Sequence, residues 1–139
     1  MIKPIMKSEF FLRLPSEDAG PDDAATGQDL LDTLHEHEHE CVGLAANMIG
    51  VRKRIICVKD GNRALLMYNP QILEQVNAYQ TSEGCLSLIG ERPCTRYRRI
   101  KVEYLDENFV HRIKNFSGYT AEIIPVSYTH LTLPTNSRV

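Results

Sequence analysis

The sequence predicts an α+β domain, and three observations carry that expectation: one amphipathic helical pattern near the start, a run of short β-rich segments punctuated by turn signals through the middle, and a second helix-start signal near residue 117. The order helix, many short strands, helix places antiparallel short-strand sheets against an N-terminal helix and a C-terminal one. At 139 residues the chain suits a single domain whose core is large enough to need no disulfide staple.

Residues 15–27 are rich in Pro, Ser, Asp, Ala and Gly, which suits a surface loop entering a helix near Pro21 or Thr26. That helix is expected to end near Glu40, with Leu30, Leu31 and Leu34 as its buried stripe and Asp29, Asp32 and Glu36 on the wet side. A glycine-bounded segment follows, Gly43-Leu44-Ala45-Ala46-Asn47-Met48-Ile49-Gly50, whose small residues let backbone pass close to another group. Residues 54–58, 64–68 and 71–79 read as strands; Asp60-Gly61-Asn62 turns between the first two, and Asn69-Pro70 closes the second. Ile100, Val102 and Tyr104 alternate with Lys101 and Glu103, and Asp106-Glu107-Asn108 turns that strand into residues 109–116, a solvated antiparallel hairpin. Ser117 is placed to cap a last helix that starts Gly118-Tyr119-Thr120-Ala121-Glu122-Ile123-Ile124. There is no internal repeat.

A formal net charge of -2 gives no long-range field that favours nucleic acid or an anionic membrane. Residues 1–14 hold Phe10 and Phe11 but no unbroken apolar run, so neither a signal peptide nor a membrane span is expected, and the expected compartment is the cytoplasm. Without a secretory signal, Cys41, Cys57, Cys85 and Cys94 read as reduced thiols, buried or metal-binding.

Chemistry concentrates at Glu83-Gly84-Cys85-Leu86-Ser87. A cysteine between a flexible glycine and an apolar residue, beside a carboxylate, could present a thiolate to a metal while backbone donors face a substrate oxygen. A buried core thiol is the plainer reading of the same residue. Taken with Gly43-Leu44-Ala45-Ala46-Asn47 some forty residues earlier, however, the segment resembles the second signature motif of the peptide deformylases, in the family's order and spacing, over a stretch from Met1 to about Ile124.

That resemblance, to the short clostridial-type form, implies hydrolytic removal of the formyl group from formylmethionyl nascent peptides at the ribosome by a monomer. It implies ferrous iron, replaceable by zinc, nickel or cobalt, held by Cys85 and by two histidines of a His-Glu-x-x-His helix. Such a centre keeps one open position for a water whose pKa the metal lowers, and the glutamate relays its proton. The resemblance further assigns the Leu86 N–H and Gly43 to the catalytic machinery, and Val42, Gly43, Glu83, Gly84 and Arg96 to substrate binding. Arg96 also reads as a solvated arginine in the basic run Arg96-Tyr97-Arg98-Arg99.

Two departures stand out. Met48 occupies the position where the family usually has a glutamine that donates a hydrogen bond, and a thioether cannot donate. After Ile124, Pro125 and then Val126 and Ser127 stand where the family has glutamine, the first histidine and the glutamate, while His130 falls on the second histidine. Cys85 and His130 are thus the metal ligands the sequence still offers, too few for stable binding and without a base. Residues 126–135 resemble one reading frame of the reverse complement of a transposase sequencing adaptor. The expected organisation is therefore a deformylase-like domain over 1–124 and a non-native tail over 125–139, leaving the chain inactive. A non-catalytic paralogue that binds peptide N-termini is the alternative. A third reading is a zinc peptidase using His35-Glu36-His37-Glu38-His39, which matches His-Glu-x-x-His. Alternating His and Glu at the polar end of a helix satisfies that pattern by composition alone.

Overall fold

A computed structural model describes residues 1–39, 41–84 and 91–129 of the chain. Its helices are α1 (Glu9–Leu12), α2 (Ala24–Glu36) and α3 (Gly118–Thr129). Its strands are β1 (Gly43–Ala45), β2 (Ile55–Asp60), β3 (Arg63–Gly84), β4 (Glu91–Leu105) and β5 (His111–Ser117). Among the described residues the strands form one antiparallel sheet in the order β1-β2-β3-β4-β5, the α+β class that the sequence predicts.

Strand β2 shows why the sheet is a core element. Ile55, Ile56, Cys57 and Val58 are all fully buried, although successive side chains of a strand point to opposite faces. Tyr68, opposite Ile55, faces α2, where its hydroxyl lies against Gly27. Asp60, on the alternate parity, accepts a hydrogen bond from Thr120 Oγ1 of α3 at 2.9 Å. The two helices therefore cover opposite faces of β2, and a continuous apolar run is what such a strand requires.

Helix α2 buries Leu30 and Leu34 as its pattern predicts, while Leu31 is only half-buried. It ends at Glu36, four residues before the expected Glu40. The chain turns there: the Cys41 N–H bonds to the His37 carbonyl at 2.9 Å, and the Lys59 N–H bonds to the Val42 carbonyl at 2.8 Å, bringing β1 to the edge of β2.

The two expected strands on either side of Asn69-Pro70 are one strand, β3, with register shifts between Tyr68 and Gln71 and between Ile72 and Glu74. Asn69 takes up the irregularity in the left-handed region, φ +52°, which asparagine tolerates better than most side chains. Its side chain accepts from the Ala19 N–H at 2.7 Å and donates to the Ala19 carbonyl at 2.9 Å, pinning the loop before α2 to the sheet. Asn69→Gly keeps the backbone conformation and removes both bonds; it should lower stability by about 2 kcal/mol, roughly 1 per bond, in urea unfolding.

The Asp106 turn is held by its own carboxylate, which accepts the N–H groups of Asn108 at 2.9 Å and Val110 at 3.0 Å and the Arg112 Nε at 2.9 Å. The Val110 N–H and then Arg112 hold this carboxyl below its ordinary value of 3.8. A depressed folded-state pKa means the unfolded chain binds the proton more readily, so the contribution is present at neutral pH and is lost as pH falls through the ordinary carboxylate value and below it. The urea midpoint should drop over that window in the natural chain and drop less in Asp106→Asn.

Candidate functional site

The site is built outward from β1. In an antiparallel ladder the residues of one strand alternate between facing their partner with N–H and C=O and facing away. The Lys59 N–H to Val42 carbonyl bond fixes the phase, with Gly43 opposite Val58, Leu44 opposite Cys57 and Ala45 opposite Ile56. Val42 and Leu44 therefore bond to β2, and the N–H and C=O of Gly43 and Ala45 point to the outer edge, where no described strand pairs. After Ala45 a 3-10 turn, Ala46–Ile49, carries the chain to Gly50 at φ +88°.

Two sulfur side chains meet those outward groups. The Cys41 thiol donates to the Gly43 carbonyl at 2.8 Å. Met48 is buried, and its Sδ accepts the Ala45 N–H at 3.4 Å. A methionine at this position is thus an acceptor inside the fold, consistent with its inability to donate outward. Behind the turn, Asn47 is fully buried and its Nδ2 donates to the Leu12 carbonyl at 3.3 Å, while the Met6 N–H bonds to the Met48 carbonyl at 2.7 Å. The N-terminal segment is the backing of this turn. The neighbouring Cys57 is held protonated: burial, then Cys41 nearby, push its thiol up to about 12 against a smaller opposing effect of Lys59.

Glu83 and Gly84 are the last residues of β3, opposite Arg92 and Glu91 of β4. Arg96 lies on β4 opposite Tyr79, whose ring carries the Arg98 guanidinium at 5.1 Å from its centroid. The structure thus groups Val42, Gly43 and Met48 at one strand and turn, and Glu83, Gly84 and Arg96 on one two-stranded ribbon. Cys85, Leu86 and His130 lie outside the described residues.

The described residues do not supply a metal centre: among them no group of three His, Cys, Asp or Glu side chains is placed to hold an ion. The His35 to His39 segment lacks the geometry its pattern implies. Helix α2 stops at Glu36, so His39 is not one helical turn beyond His35 on a common face, and His35 is spent in an exposed pair with Glu38 at 3.1 Å. Residue types did not flag Cys41 for the site; only the phase of β1 pairing reveals that it meets an outward carbonyl.

Fold and strand edge together define an α+β domain with β1 at the open edge of its sheet. The profile of the polypeptide deformylase family matches residues 6–132. The peptide deformylase of Clostridium beijerinckii is 49% identical over 94% of this chain and 96% of its own. The crystal structure of peptide deformylase from Thermotoga maritima superimposes with a TM-score of 0.85 at 25% identity, over 98% of this chain and 97% of that one. A Met-Ala-Ser-bound class I type b peptide deformylase from Acinetobacter baumannii does so at 0.85 and 26%, over 96% and 97%. The chain belongs to the polypeptide deformylase family, metal-dependent hydrolases that act on formylated peptides. Among the described residues no helix is long and apolar enough to cross a membrane.

Proposed function

We propose that the protein this chain represents removes the formyl group from formylmethionyl nascent peptides, with the peptide main chain laid along the outer edge of β1 at Gly43 and with Val42 beside it as a side-chain contact. The observation that carries this reading is the edge itself: a Gly-Leu-Ala strand whose alternate N–H and C=O groups face away from the sheet, the arrangement by which an extended peptide adds as a strand. Glu83, Gly84 and Arg96 complete the peptide contacts in this reading. The Leu86 N–H is the oxyanion donor, and Cys85 is a ligand of ferrous iron, for which zinc, nickel or cobalt can substitute. The parent acts as a monomer in the cytoplasm on chains leaving the ribosome.

The 139-residue chain itself is proposed to be inactive and to hold metal poorly, with residues 125–139 not native to it. Val126 and Ser127 stand where a histidine ligand and the proton-relaying glutamate belong, and His130 with Cys85 is an incomplete set. The test is to write the missing motif into positions 125–129 and measure formate release from formyl-Met-Ala-Ser after metal loading. Activity supports the reading; a folded, metal-loaded variant without activity points to a non-catalytic paralogue that binds peptide N-termini.

A further inference from the structure

Both outward groups of β1 that the structure shows in hydrogen bonds are held by sulfur from the same chain, and the two bonds differ in accessibility. Ala45 and Met48 are buried, so the 3.4 Å N–H to Sδ contact belongs to the core. Cys41 and Gly43 are half-buried, so the 2.8 Å thiol to carbonyl contact is not enclosed in the core as the other is. It also lies at the carbonyl that points outward from the strand edge.

A thiol is a weak donor, and an amide N–H is a stronger one. A carbonyl capped by a thiol is covered enough to discourage pairing with the edge strand of another molecule, a hazard for any exposed edge. It is held loosely enough to yield to a peptide N–H that arrives with further contacts.

We infer that Cys41 sets the affinity of this edge for peptides: its thiol is an internal competitor for the Gly43 carbonyl and is displaced when an extended methionyl peptide docks along β1. This rests on the peptide-binding reading of β1 above. Cys41 acts through Gly43 and is a positioning residue.

Cys41→Ala removes the competitor, and Cys41→Ser replaces it with a stronger donor, so the two substitutions should move affinity in opposite directions. In calorimetric titrations of the full chain with Met-Ala-Ser and formyl-Met-Ala-Ser, the alanine variant should bind about threefold more tightly and the serine variant about threefold more weakly than the natural chain, the size of one weak hydrogen bond. A thiol with a merely structural role would weaken binding in both variants. That result, or equal affinity in all three proteins, overturns the inference and leaves the peptide reading standing. Absence of binding in all three, each folded by circular dichroism, overturns the peptide reading and this inference with it.

Discussion

Pro125→Gln, Val126→His, Ser127→Glu and Thr129→Asp together should give a chain that retains a metal ion through gel filtration and releases formate from formyl-Met-Ala-Ser, where the unmodified 139-residue chain is expected to do neither. Helix α3 runs from Gly118 to Thr129, so helical backbone already extends past Ile124. Positions 126 and 130 are four apart, the spacing that puts two imidazoles on one helical face. The helix is anchored ahead of the changes, with Ala121, Ile123 and Ile124 buried and Thr120 bonded to Asp60, so the motif is written onto a fixed support. Pro125 sits inside the helix and has no N–H to donate to the carbonyl four residues back. Its replacement by glutamine should itself stabilise α3, by up to about 3 kcal/mol. The metal-free variant should accordingly melt at a higher temperature, a readout that separates repair of the helix from repair of the chemistry.

Gly27→Ala should be strongly destabilising, because the added methyl group has no room. A Cβ at this position would lie 2.1 Å from the Tyr68 hydroxyl oxygen, 2.9 Å from Leu66 Cδ2 and 3.0 Å from Tyr68 Cζ. The ring has little room to retreat, since Tyr68 is fully buried and stacks on Phe109 with centroids 4.2 Å apart. Alanine favours helix over glycine by about 1 kcal/mol, yet overpacking against a fixed ring outweighs that, and the net loss should be about 3 kcal/mol. Deleting the hydroxyl by Tyr68→Phe removes the worst contact, so the double variant should recover most of the loss. Strict additivity of the two changes in urea unfolding would contradict the steric account.

The sequence carried the architecture further than the site. Alternation of Ile100, Val102 and Tyr104 against charged residues exposed the phase of β4, because one face of that strand meets solvent and the other the core. The helix at residue 118 was legible from Ser117 and the residues after it. The joining of residues 63–84 into one strand was not, since Asn69-Pro70 is an ordinary turn signal and only the Ala19 contacts and a positive φ make it a strand irregularity. The early stop of α2 was hidden likewise: the pull of β1 onto β2 is a tertiary effect with no local signature. At the site, motif residues named the family, but the sulfur contacts at β1 depend on which carbonyls face outward, a matter of register that residue identity does not encode.

The sheet is a meander: its spatial order is its chain order, and each described strand bonds to the next along the sequence. Hairpins of this kind close short loops, and short loops close fast, whereas contacts across long separations must wait. The long closures here are made by both ends, with Leu12 meeting Asn47 across 35 positions, Ala19 meeting Asn69 across 50 and Thr120 meeting Asp60 across 60. At roughly 5–20 residues per second of synthesis, residues 12–19 wait several seconds for the strand that will hold them. Residues 12–19 thus settle only once β3 has begun to form, and Leu12 settles onto the back of the turn that follows β1.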